Sequence, residues 1–165
     1  MKMFKKLSYA SLVFPGSAAG MPIFIFILPY YAGDLGLGLS MVGILFFLGR
    51  ITDIFTDPIM GVLIDKYPSK WGKHKHWIFM SAPILMVATY FIFIPTTTSP
   101  SAFYFFASLL LLYTGFTLCT ITQLSWSSFL APNYDDRTKL LTLRELMSLL
   151  SMFCVITIPA IVELY

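Results

Sequence analysis

The sequence predicts an all-α polytopic membrane protein with five transmembrane helices. Three observations lead there. Hydrophobic residues make up 58% of the 165 and charged residues only 12%, about half the charged fraction of a soluble domain, whose surface has to be solvated. Trp77 to Tyr134 contains no Asp, Glu, Lys, Arg or His, a run of 58 residues from which no water-facing surface can be built; two spans of about 20 residues joined by a short turn account for it. The basic residues fall almost entirely in alternate loops, as in a chain threaded repeatedly through a bilayer.

The first span is expected over about Ser8 to Ala32. Lys2, Lys5 and Lys6, an apolar run and Ser17-Ala18-Ala19 are the ingredients of a signal peptide. The apolar run continues to Gly33, too long for a signal core, so the segment is read as a retained helix. Pro15, Gly16, Gly20, Pro22 and Pro29 interrupt it and predict kinks; such breaks either line a pathway or serve packing. A loop follows from Gly33 to Ser40, with Ser40 expected to cap the next helix. The second span covers about Met41 to Ile64, before a polar loop from Asp65 to His76. The third runs from about Trp77 to Ile94, with Pro83 near its start and Pro95 closing it, and Thr96 to Pro100 form a turn. The fourth takes about Ser101 to Leu130, Ala131 to Arg137 connect, and the fifth runs from about Thr138 to Tyr165.

Orientation follows from the loops. Lys2, Lys5 and Lys6 precede the first span, Lys66, Lys70, Lys73 and Lys75 separate the second and third, and Arg137 and Lys139 follow the fourth. The other two loops carry no basic residue, which puts the N-terminus in the cytoplasm; the plasma (inner) membrane is the expected location. The net charge of +3 therefore reflects topology, and no nucleic-acid partner is expected. Cys119 and Cys154 lie far apart in apolar stretches and read as packing residues, with no structural metal expected.

Topology leaves Arg50 and Arg144 unexplained. Arg50, Asp53 and Asp57 are spaced i, i+3 and i+7 and share one stripe of the second helix, where they are expected to be buried. An ionised side chain at membrane depth costs several kcal/mol unless paired or hydrated. One arginine against two carboxylates leaves an excess negative charge, which a bound Na⁺ or proton would neutralise. Thr52 and Thr56 flank the acids, and Pro58 frees the Ile54 carbonyl. The alternative is an Arg–Asp lock between helices, with the second Asp reaching the interface. In the fourth span Cys119, Thr122, Gln123 and Trp126 fall on one stripe, two hydrogen-bonding groups and an indole. That pattern suits a polar organic solute, and it also suits interhelical packing. Arg144 and Glu145 lie early in the fifth span, where Arg144 reaches either the charged site or the cytoplasmic interface.

Gly49-Arg50-Ile51-Thr52-Asp53-Ile54-Phe55-Thr56-Asp57-Pro58-Ile59-Met60-Gly61 resembles the second-helix signature of the glycoside–pentoside–hexuronide:cation symporters, the melibiose permease family. Further matches are Lys6-Leu7-Ser8-Tyr9, Pro29-Tyr30-Tyr31, Leu37-Gly38-Leu39-Ser40, Trp71-Gly72-Lys73-His74-Lys75-His76-Trp77, Trp126 and Arg137-Thr138-Lys139. The resemblance implies the first half of a twelve-helix major facilitator fold, with residues 1–165 forming part of the N-terminal six-helix bundle. It implies Asp53 and Asp57 as ligands of a coupling cation, with Thr56 and Cys119 beside them, and no other cofactor; Arg50 and Arg144 are expected as charge partners from their own placement. It places Trp126 at the solute, with Thr122, Gln123 and Ser17 at neighbouring positions, and assigns Gly61, Asp65, Lys66, Gly72 and Lys73 to a cytoplasmic gating loop.

Galactoside-binding members carry acids where this chain has Ser17 and Thr122, a threonine at Cys119 and an asparagine at Thr56. Some cation, Na⁺ or H⁺, and a small organic solute such as a sugar or glycoside are thus implied, but not a galactoside. A lysolipid-transporting branch shows that the fold does not fix the substrate. Because five helices are fewer than twelve, further C-terminal helices or a second chain are expected to complete the protein. Two other classes use the same residues differently: a non-transporting membrane fragment or adaptor with Arg50 and Asp53 as helix glue, and an intramembrane aspartyl protease. The protease needs acids facing each other from different helices, whereas both acids here share one, so no enzyme is expected.

Overall fold

Proline placement decides the shape of the first span. In the computed structural model, which describes residues 3–67, 72, 74–95 and 100–163, α1 (Met3–Ser11) stops four residues before Pro15. A proline ring clashes with the carbonyl four residues back, here that of Ser11. The chain passes Leu12 through a tighter bond from its N–H to the Tyr9 carbonyl (3.3 Å) and resumes as α2 (Val13–Pro22). Two π-helical segments follow, Ile23–Ile27 and Tyr30–Asp34. These wide turns flank Pro29, whose missing N–H and ring interrupt the regular i to i−4 ladder. The first span is interrupted as its prolines lead one to expect, and the helix starts earlier than Ser8.

The remaining spans are regular: α3 (Leu39–Lys66), α4 (Lys75–Phe93), α5 (Ala102–Leu130) and α6 (Tyr134–Glu163). Among the described residues five helical stretches are long and apolar enough to cross a membrane. Two boundary expectations are corrected. Gly38, not Ser40, stands at the N-cap of α3, at φ +80°, and Ser40 is already helical. A left-handed residue ends the preceding turn, and glycine takes that conformation without a Cβ penalty. The fifth span starts at Tyr134 rather than Thr138, with Arg137 N–H bonded to the Asn133 carbonyl at 3.0 Å. Asp135 and Asp136 then lie in the first turn, where the helix dipole favours acids. Ser101 caps α5 by accepting from the Tyr104 N–H at 3.2 Å. The Thr96–Ser99 turn and the end of the fifth span beyond Glu163 lie outside the described residues.

The chain divides into two compact units, Met1–Phe26 with Ser127–Tyr165, and Ile27–Trp126. In the first, α1 and α2 pack along α6. Small residues of α2 allow the approach, and hydroxyls fix it: Ser17 Oγ lies 2.7 Å from Ser148 Oγ, and Ser151 Oγ donates to the Phe14 carbonyl at 2.7 Å. Lys6 Nζ meets Asp136 Oδ1 at 2.9 Å.

In the second unit, Tyr31, Phe46 and Phe105 stack at ring separations of 4.2 and 5.8 Å. Ile64, Trp77 and Leu118 form another buried cluster, closed by Met60, Leu63, Ile84 and Ile121. Two tyrosines finish α4. Tyr31 Oη donates to the Ile92 carbonyl at 2.9 Å and Tyr104 Oη to the Phe91 carbonyl at 2.8 Å, which satisfies acceptors that a helix C-terminus leaves open.

Candidate functional site

The charged stripe of α3 is present, but it is not the buried stripe expected from the sequence. Arg50 and Asp57 are exposed and Asp53 half-buried. From α5, Tyr113 meets Arg50. Arg50 Nη1 donates to Asp53 Oδ2 at 3.3 Å, and its guanidinium carbon stands 4.8 Å from the Tyr113 ring centroid. That is cation–π range. Asp57 lies one turn further along the same face. The arginine therefore engages one carboxylate by hydrogen bond and leaves the second outside that pair.

Of the other residues placed at the cation, Thr56 is half-buried and Cys119 accepts a hydrogen bond from Gln123 Nε2 at 3.6 Å. The hydroxyl of Thr52, by contrast, donates to the Gly49 carbonyl of its own helix at 2.6 Å.

The α5 stripe divides by exposure. Thr122 and Gln123 are fully buried, and Thr122 Oγ1 donates to the Leu118 carbonyl at 2.6 Å, so its proton is used within the helix. Trp126, one turn on, is half-buried. Ser17 belongs to the other unit, where its hydroxyl faces Ser148. Arg144 also belongs there, buried and paired with the exposed Glu145. Of the gating residues, Asp65 and Lys66 form the exposed last turn of α3, Gly61 has open space where a Cβ would lie, and Gly72 has φ +107°. Lys73 lies outside the described residues.

Sequence reasoning missed two contributors. Tyr113 sits in an unbroken apolar run and carries no signal of its own. Tyr9 is buried and hydrogen-bonds Ser127, with Arg144 and Glu145 close enough to act on it electrostatically; only its place in a matched tetrapeptide marked it.

Residues 8–164 match the family described as MFS/sugar transport protein. The chain belongs to that family. Relatives of this MFS/sugar transport protein chain include the uncharacterized symporter YjmB of Bacillus subtilis, 30% identical over 133 residues, covering 78% of this chain and 29% of the relative. The isoprimeverose transporter of Lactiplantibacillus pentosus is 24% identical over 159 residues, covering 93% of this chain and 33% of the relative. The sodium-dependent lysophosphatidylcholine symporter 1 of Gallus gallus is 24% identical over 139 residues, covering 83% and 26%. These names accord with the glycoside–pentoside–hexuronide resemblance, its lysolipid branch included. The family and these relatives are transporters, and five apolar spans make this chain a multi-pass membrane protein. The chain spans between 29% and 33% of the length of the first two relatives.

Proposed function

We propose that the full-length protein is a secondary active transporter that couples entry of a small organic solute, of the sugar or glycoside class, to Na⁺ or H⁺. The observation that carries this reading is the charge imbalance on α3: Arg50 hydrogen-bonds Asp53, and Asp57 stands on the same face outside that pair. Ionisable groups at membrane depth are retained for function, and an excess carboxylate is what a coupling cation would neutralise. Thr56 and Cys119 are assigned to the rim of that ion site, with Arg50 and Arg144 as charge partners. Trp126, Gln123, Thr122 and Ser17 are assigned to the solute. Gly61, Asp65, Lys66, Gly72 and Lys73 are assigned to cytoplasmic gating, with the N-terminus in the cytoplasm and the protein in the plasma (inner) membrane. Further helices beyond these five spans are required for a central cavity.

A lysolipid or similar amphiphile is the second reading of the solute, supported by the lysophosphatidylcholine symporter among the relatives. Uptake by proteoliposomes of the full-length protein tests the proposal. Asp53→Asn and Asp57→Asn are each expected to abolish gradient-driven accumulation while leaving the protein folded. Full cation-driven accumulation by both variants would overturn it.

A further inference from the structure

Tyr113 of α5 is 5% exposed, and its hydroxyl finds no hydrogen-bond partner among the described residues. Buried tyrosines ordinarily use both ring and hydroxyl, so here the ring is the part in use. Two consecutive residues of α3 show what uses it. A Cβ on Gly49 would come within 2.6 Å of ring atom Cε2, so the helix backbone reaches the ring only because residue 49 is glycine. The next residue, Arg50, sets its guanidinium 4.8 Å from the ring centroid. The same guanidinium reaches Asp53 Oδ2 at 3.3 Å, longer than the roughly 2.7–2.9 Å of a relaxed charge-assisted bond. Arg50 is shared between an aromatic face and a carboxylate.

We propose that Tyr113 is a positioning residue that sets the affinity of the coupling-cation site. This rests on the reading of Asp53 as an ion ligand. Arg50 and the incoming ion compete for the Asp53 oxygens. The ring holds the guanidinium back from closer pairing with Asp53, and it keeps the guanidinium when the ion takes the carboxylate, because the aromatic contact uses none of the oxygens exchanged. Without the ring, Arg50 gains by closing on Asp53, and the ion has to break a tighter pair.

The test is cation binding to the full-length protein, titrated calorimetrically with NaCl, LiCl and acid. For whichever of these ions the wild type binds, Tyr113→Leu is expected to weaken affinity by about three- to tenfold, the scale of one partly desolvated cation–π contact. Tyr113→Phe is expected to stay within about twofold, since the ring remains. In an Arg50→Gln background Tyr113→Leu has no further effect. Replacement of Tyr113 by fluorinated phenylalanines keeps the shape and removes the negative ring face, so affinity falls with fluorination even where the Leu variant does not fold. Wild-type affinity in the Leu variant, an equal loss in the Phe variant, or an undiminished loss without Arg50 would each overturn the proposal. If Asp53→Asn binds the ion as the wild type does, the ion-site reading itself falls. If Asp53→Asn loses binding while affinity ignores fluorination at residue 113, only the role of Tyr113 falls.

Discussion

Gly49 and Gly43 lie less than two turns apart on α3, yet an added methyl group meets different surroundings. At Gly49 it meets the rigid Tyr113 ring at 2.6 Å, with Leu109 at 3.3 Å, whereas at Gly43 nothing lies within 4 Å. Gly49→Ala is therefore expected to lower the unfolding stability of the full-length protein in detergent by about 1–3 kcal/mol, the usual cost of overpacking. Gly43→Ala is expected to be neutral or to gain up to about 1 kcal/mol from helix propensity. Thermal unfolding of the two variants side by side measures the difference, and equal shifts would contradict the close approach of α3 to Tyr113. At this scale the sequence was partly legible. The i, i+3, i+7 spacing of Arg50, Asp53 and Asp57 follows from helical periodicity alone. The exposure of Arg50 and Asp57 and the partner ring of Tyr113 do not, because they depend on which face of an apolar helix meets α3.

Among the elements, α4 has its last carbonyls closed by side chains from elsewhere in its unit. Tyr31, in the second π-helical segment, bonds Ile92, and Tyr104, in the first turn of α5, bonds Phe91. Tyr31→Phe is expected to remove about 0.5–1.5 kcal/mol of stability. The loss is local, so hydrogen exchange of the amides near Tyr90 to Ile94 speeds up before the rest of α4 responds. Unchanged exchange there would show that solvent, not Tyr31, satisfies the carbonyl. The existence and order of the helices were legible from apolar length and loop charge, and so were the interruptions of the first span from its prolines. The ends were less legible. Ser40 is a good capping residue, but the left-handed backbone of Gly38 stops the preceding turn two residues earlier. The fifth helix extends back to Tyr134 because Asn133 offers a carbonyl and two acids suit the first turn.

For the whole molecule, family membership came from residues within α3 and the matched loops, and the family match runs over residues 8–164. The five spans fall into two compact units, and the chain spans 29% of the length of the Bacillus subtilis relative. The solute was the least legible part. The residues assigned to it are split between the units, and Thr122 uses its proton on Leu118. Arg144 is legible as an anomaly but not in role, since its ion pair is with its neighbour Glu145.

In the proposed function the Asp53 and Asp57 carboxylates couple a cation to the solute. If they do, each ligand raises the affinity for the other by the same factor. The most direct measurement is equilibrium binding of a radiolabelled glycoside to the purified full-length protein across a series of Na⁺ concentrations and pH values. Affinity is expected to rise about five-fold or more with one of the two cations, and Asp57→Asn is expected to remove the dependence. Solute affinity that ignores both cations, or a dependence that survives Asp57→Asn unchanged, would contradict this coupling.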